Sequence, residues 1–256
     1  MRHIISIFKI FFFLLLVENV MAQTSPKNSL TNIQSQIQTR FMEAQRQSDA
    51  TPLLQLNAEL QEQYGSRKQN IFVYWRAYAK YYTAIFYLTQ SDKENAEKNI
   101  DKAVEWLDNL KNKTSEDYAL LSLTEGFAIQ FKNMVKIIFL SGQIEKHGKL
   151  AIEKDPRNLR AYFVLGSSDF YKPERFGGGK NVEEYLLKAI ALPDQSVKND
   201  VLPSWGKREA YELLIRWYIR KGNHEKAKIY HAEAMKNYPN DSQLQGLAKQ
   251  IKSWKL

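Results

Sequence analysis

The strongest constraint on the fold is a pattern of large and small residues in positions 208–241. The pattern consists of Tyr211, Leu214, Ile215 and Tyr218, then Gly222, then Ala227, His231 and Ala234, and finally Pro239. The large residues recur at helical spacing, and alanines are small enough to let a second helix approach the first. Gly222 permits the backbone reversal between the two helices. The pattern therefore predicts a helical hairpin, in which Ile215 and His231 are bulkier or more polar than usual.

The same pattern recurs towards the N-terminus, as expected for a chain built from stacked hairpins. One unit, at about 77–110, uses Ala84, Tyr87, Ala96, Ile100 and Ala103. Another uses Tyr162, Leu165 and Gly166, then Leu186 and Ala189. Its second helix lies four residues later than the register of the repeat predicts. Ala151 and Pro156 fit the end of a further unit whose first half, around 117–139, is degenerate. A closing helix over 241–254, capped by Asp241, is expected to protect the last hairpin from solvent.

Helix-breaking residues are few: 7 prolines and 11 glycines divide the 256 residues into long stretches with helical periodicity. No alternating strand pattern is present, so the predicted fold class is all-α. Residues 30–66 are expected to form an N-terminal helical hairpin, whose second helix has Thr51 as N-cap and Pro52 in its first turn. Ser91 and Glu94 match a capping box for a later helix. Residues 67–256 are expected to form the repeat array with its capping helix.

These features resemble the tetratricopeptide (TPR) repeat over roughly residues 70–254. The resemblance implies an α-solenoid, a right-handed superhelix whose concave groove binds a protein or peptide, or sometimes a small apolar ligand. It implies neither catalysis nor a cofactor. The Pro173-x-x-Phe176-Gly177-Gly178 loop, followed by an amphipathic helix, is also similar to the periplasmic TPR subunit of TRAP-type transporters.

The N-terminus predicts export. Arg2 and Lys9 accompany an apolar run over 4–17, and small or compact residues end at Ala22, which is typical of a signal peptide covering 1–22. Residues 23–29 are polar and are interpreted as a flexible linker. The chain has no cysteine, so disulfides, thiolate metal sites and a lipoprotein anchor are excluded. The mature chain is expected to be soluble and not to span a membrane, in the periplasm or secreted.

The sequence contains no convincing motif for catalysis or for metal or nucleic-acid binding. The Gly177–Lys180 stretch fails as a phosphate loop, because that motif needs glycine at Glu174 and serine or threonine at Asn181. His224 and His231 are seven apart, which is not the i, i+4 spacing of helical metal ligands. The net charge is +9, but the basic residues are scattered among acidic ones, which argues against nucleic-acid binding. We therefore expect no enzyme activity, metal or cofactor.

The candidate binding site is the place where an insertion breaks the repeat. Residues 171–180 replace a tight turn, and insertions in repeat proteins often lie on the binding face. The candidate partner-binding residues are Lys172, Arg175, Phe176, Gly177 and Gly178. Phe176 either covers the helix pair beneath the loop or contacts a partner directly. Two functions follow: an exported scaffold or adaptor for a protein or peptide, or a transport accessory that binds an apolar ligand among the aromatic residues of 74–87.

Overall fold

The computed structural model describes residues 30–67, 69–195 and 198–252. The predicted signal peptide and linker therefore lie outside the described residues. Within these ranges the chain forms eleven α-helices and no strand, which confirms the all-α prediction. The helices are α1 (Ile33–Gln47), α2 (Thr51–Arg67), α3 (Asn70–Thr89), α4 (Lys93–Asp108), α5 (Ser115–Ala128), α6 (Met134–Lys154), α7 (Leu159–Tyr171), α8 (Val182–Ala191), α9 (Lys207–Arg220), α10 (His224–Asn237) and α11 (Ser242–Lys252).

Successive helices pair into five hairpins, from α1 with α2 to α9 with α10, and α11 closes the array. The odd-numbered helices also contact one another along the chain, from α1 with α3 to α9 with α11. They form the inner layer, which lines the concave side of such a solenoid, and the even-numbered helices form the outer layer. No helix in the described part of the chain is long and apolar enough to cross a bilayer.

Small residues set the distance between neighbouring helices. A Cβ atom at Gly148 of α6 would lie 2.6 Å from the Leu165 side chain, and one at Gly166 of α7 would lie 2.8 Å from Leu186. In both pairs a leucine side chain lies against the glycine backbone of the preceding helix. A larger residue has no room at either glycine, so the helices pack at short range. In the last hairpin, Tyr211, Leu214, Tyr218, Ala227 and Ala234 are buried, Gly222 has a φ of 69° in the turn, and Pro239 follows α10.

Two local details differ from the sequence interpretation. Thr51 is the first helical residue of α2 and not its N-cap, because the Asp49 carboxylate accepts hydrogen bonds from the Thr51 backbone amide and hydroxyl. The capping box at Ser91 is wrong: Ser91 has a φ of 63°, and Asp92 caps α4 by accepting from the Asn95 amide. The degenerate region around 117–139 still forms a hairpin, in which a short 3-10 turn separates α5 from α6.

Candidate binding surface

The long connection between α8 and α9 lies against the inner layer. We call it the crossing segment (residues 192–206, described at 192–195 and 198–206). The Asp200 carbonyl accepts a hydrogen bond of 3.0 Å from the Asn32 amide at the start of α1. The Trp75 indole Nε1 of α3 donates to the Val201 carbonyl at 2.8 Å. The crossing segment therefore reaches from the fourth hairpin back to the first two.

Trp205 anchors the crossing segment in the core. Its side chain is buried, and its indole Nε1 donates to the Tyr74 hydroxyl at 2.7 Å. Its ring stacks on Tyr78, with the centroids 5.8 Å apart, and meets Phe163 of α7 edge-on. Because the indole fills the space between α3 and α7, this part of the inner face is closed by the chain itself.

Arg160 of α7 fixes the two ends of the crossing segment. Its guanidinium pairs with both carboxylate oxygens of Glu116 on α5 at 2.6 Å. The same side chain donates to the backbone carbonyls of Asp194 and Trp205, at 3.0 and 3.1 Å. A planar guanidinium can donate to both oxygens of a carboxylate and to two further acceptors at the same time. The crossing segment thus covers the inner layer at the N-terminal parts of α1, α3 and α7.

The aromatic residues of 74–87 pack against one another and against neighbouring helices. Tyr81 meets Phe127 of α5 edge-on at 5.3 Å between centroids, and Phe41 of α1 meets Tyr82 at 5.2 Å. Burial raises the pKa of Tyr78 and of Tyr81, which keeps both hydroxyls neutral. A cavity of about 480 Å³ lies between α1 and the crossing segment, but most of its lining residues are polar. These features do not provide the apolar ligand cavity that the sequence suggested.

A large apolar surface occurs instead at the start of α6. Met134, Val135, Ile138 and Phe139 are 58%, 79%, 71% and 65% exposed. They occupy neighbouring positions on two turns of one helix, so they form a continuous stripe. Exposed apolar patches of this kind mark interaction sites in soluble proteins.

The last residue of α7 and the loop that follows it add two exposed rings, Tyr171 at 71% and Phe176 at 54%. The pKa of Glu145 on α6 is lowered, mainly by a hydrogen bond from Lys149 and to a lesser extent by Lys172 of this loop. The consecutive helices α6 and α7 pack together through Gly148 and Leu165, so the C-terminal end of α7, where the loop begins, lies beside the N-terminal half of α6. We call the six side chains the apolar edge: Met134, Val135, Ile138, Phe139, Tyr171 and Phe176.

The glycines of the 171–180 loop are required by its backbone. Gly177 has a φ of 83°, in the left-handed region that favours glycine. A Cβ atom at Gly178 would lie 1.9 Å from the Lys172 carbonyl oxygen. The Asp169 carboxylate accepts hydrogen bonds from the backbone amides of Gly179 and of Asn181, which follows the loop, at 3.0 and 2.6 Å. The loop is therefore a fixed turn that presents the same side chains each time.

Phe176 lies at the end of a 3-10 turn, with the Arg175 guanidinium 4.9 Å from its ring centroid. Glu174 forms an ion pair with Lys221 of the next hairpin at 2.9 Å. The loop that carries all five candidate residues thus contributes Phe176 to the apolar edge, with the Arg175 guanidinium beside its ring. A direct contact between Phe176 and a partner stays a prediction.

Sequence reasoning missed the α6 stripe and the crossing segment. The stripe had a readable signal: residues 134–140 are apolar at nearly every position, so no hairpin could bury them all. The described residues contain no group of three or more histidines, aspartates or glutamates placed to hold a metal ion. His147 pairs instead with Glu125 at 2.8 Å, and His231 bonds to the Leu244 carbonyl.

The stacked hairpins and the two helix layers define a tetratricopeptide-type α-solenoid. No protein-family model matches the chain, and neither does any curated protein sequence. Among solved structures, a thermophilic TPR protein from Thermus thermophilus is similar with a TM-score of 0.53 at 16% identity, covering 84% of this chain and 98% of that one. This similarity confirms the predicted fold class.

A second solved structure, the HusA haemophore from Porphyromonas gingivalis, is similar to the same extent. Its TM-score is 0.53 at 23% identity, and the match covers 78% of this chain and 96% of the haemophore. At such identities the likeness concerns the fold. The resemblance to the TRAP transporter subunit stays a prediction.

Proposed function

We propose that this chain is a non-catalytic binding scaffold that captures a protein or peptide partner on its apolar edge. The observation that carries the proposal is the α6 stripe, whose four large apolar side chains are each more than half exposed. Holding such a surface in water is unfavourable, at about 25 cal/mol per Å² of apolar area. A partner that covers it removes that cost, and helical-repeat scaffolds commonly bind partners in this way.

We place the proposed site at the apolar edge and not in the concave groove, because the edge is exposed whereas the crossing segment covers the N-terminal parts of α1, α3 and α7. The fixed 171–180 loop extends the edge onto the fourth hairpin, so two adjacent hairpins contribute to one surface. A site spread over two hairpins depends on their relative position, which the close packing of Gly148 against Leu165 holds constant.

Ile138→Asp is expected to abolish partner capture while leaving thermal stability close to that of the parent. A carboxylate in the middle of the stripe cannot be buried under an apolar partner, and central interface residues typically carry about 2–4 kcal/mol. The measurement is crosslinked capture of partner from the native envelope by the tagged chain, scored by quantitative mass spectrometry beside a melting curve.

Ile229→Asp is the matched control, because Ile229 is an isoleucine of the outer layer on α10 that is also exposed, at 54%. It should capture partner like the parent. Phe176→Ala tests the loop in the same experiment and should weaken capture with little change in melting. Undiminished capture by Ile138→Asp would contradict the proposal.

A second candidate is binding of an apolar ligand such as haem at the same edge. The observation that favours it is the combination of exposed apolar side chains with Lys136, Lys172 and Arg175 nearby, which suits a planar apolar body with carboxylates. The solved haemophore gives this candidate a ligand to test. Haemin titration of the parent and of Ile138→Asp separates the two functions: saturable absorbance changes lost in the variant favour haem.

We further propose that the scaffold acts after export, on the basis of the apolar run and the small residues that end at Ala22. Intact-mass spectrometry of the native protein should show a chain that begins at Gln23, recovered from the periplasmic or secreted fraction without detergent. A native chain that retains residues 1–22 would contradict this prediction.

A further inference from the structure

The outer face of α6 is a single unpartnered surface that runs the length of the helix. Ile144, Gly148 and Ala151 are its buried residues and face the array. Val135 and Ile138 lie on the opposite face, followed towards the C-terminus by Gly142, Glu145, Lys146, Lys149 and Glu153. The N-terminal half of this face is therefore apolar and the C-terminal half charged. At 21 residues, α6 offers a surface about 30 Å long.

Gly142 lies where the two halves meet. A Cβ atom there would have no neighbour within 4 Å, so packing in the fold does not explain the glycine. A shallow depression of about 310 Å³ runs from Gly142 to Glu153 along the same face. The missing side chain allows another backbone to approach α6 closely at this point.

The charge along this surface is positive on balance. Residues 134–154 contain four basic residues and two acidic ones. Of the acids, Glu145 is engaged by Lys149, and Glu153 forms no ion pair within the described part of the chain. Among the described residues, no carboxylate forms an ion pair with Lys136 or Lys146 on α6, or with Lys172, whose charge acts on Glu145.

We propose that the partner segment is an amphipathic α-helix with an acidic polar face, which lies alongside the outer face of α6. The inference rests on the proposed function and deepens it. The stripe receives the apolar face of the segment, Gly142 gives the point of closest approach, and the unpaired cations meet its carboxylates. A bilayer fits less well, because the depression that runs along α6 from Gly142 to Glu153 matches the shape of a second helix and not a flat surface.

The test uses two fluorescein-labelled synthetic helical peptides of about 20 residues with one shared apolar face. One carries glutamates on its polar face and the other carries lysines, and fluorescence anisotropy gives their dissociation constants for the full mature chain. The glutamate peptide should bind at least about tenfold more tightly at low salt. The difference should shrink in about 0.5 M salt, where the screening length falls to roughly 4 Å. Ile138→Asp should abolish binding of both.

Lys136→Glu combined with Lys146→Glu should reverse the preference, since both lysines are exposed and unpaired. Lys228→Glu, an exposed lysine on α10, is the matched control and should leave the preference unchanged. Gly142→Gln should weaken binding about tenfold without lowering the melting temperature, because the new side chain enters open space.

Equal affinity for the two peptides would overturn the acidic-helix inference and leave the proposed scaffold intact. So would association with vesicles of phosphatidylcholine and phosphatidylglycerol without any peptide preference. Failure of both peptides to bind also overturns it. The proposed function itself fails only if crosslinked capture survives Ile138→Asp, so the two failures are distinguishable.

Discussion

Trp205→Ala is expected to lower the melting temperature by roughly 10 °C. Removal of a buried tryptophan typically costs about 3–5 kcal/mol, and a chain of this size loses about 2–4 °C per kcal/mol. Here the change removes the ring that stacks on Tyr78 and leaves the Tyr74 hydroxyl without its donor. The measurement is differential scanning calorimetry of the mature chain.

Trp205→Phe is the matched control for this prediction. A phenylalanine ring keeps most of the contacts with Tyr78 and Phe163 but cannot donate to Tyr74. It should therefore cost about 1–3 kcal/mol, the usual penalty for an unsatisfied buried polar group. A Trp205→Ala variant that melts like the parent would show that the crossing segment does not hold the inner layer together.

Arg160→Ala is expected to be comparably damaging, with a loss of about 3–5 kcal/mol in the free energy of unfolding. The substitution leaves the Glu116 carboxylate partly buried without its cation. It also leaves the carbonyls of Asp194 and Trp205 without the donor they share. Urea denaturation followed by circular dichroism measures the change, with the slope of the transition reported beside its midpoint.

Arg216→Ala provides the comparison, because Arg216 pairs with Glu212 one turn away on the same helix, near the surface. Such surface pairs contribute about 0.2–1 kcal/mol. Equal losses for the two arginine variants would contradict the role assigned to Arg160.

The repeating part of the fold was predictable because its signals are local. Ala227 and Ala234 are small where α9 and α10 touch, and Gly222 turns the chain between them, all within the stretch 208–241. The 171–180 loop was also predictable, since an insertion is visible as a break in the repeat register. Its exact geometry was not, because the tight approach of Gly178 to the Lys172 carbonyl depends on how the turn closes.

The crossing segment could not be predicted from local pattern. Val201 pairs with Trp75 across 126 positions, and Trp205 pairs with Tyr74 across 131. Trp75 lies in an ordinary helical sequence, and no local pattern near Trp205 indicates which distant helix its ring contacts. The α6 stripe was not recognised for a different reason: Met134, Val135, Ile138 and Phe139 lie in the stretch 117–139, where the repeat pattern is degenerate and gives no register to separate exposed from buried positions.

The crossing segment also affects how the molecule should fold. In an ordinary solenoid each hairpin touches only its neighbours, so stability behaves as a linear chain of nearly independent steps and the ends can fray separately. Here the connection before α9 ties the fourth hairpin to α1 and α3, which raises the contact order and slows the search for native pairings. Loss of either side of this tie is expected to remove support from the other, so we expect the part of the array from α1 to the start of α9 to unfold as one cooperative block and not hairpin by hairpin.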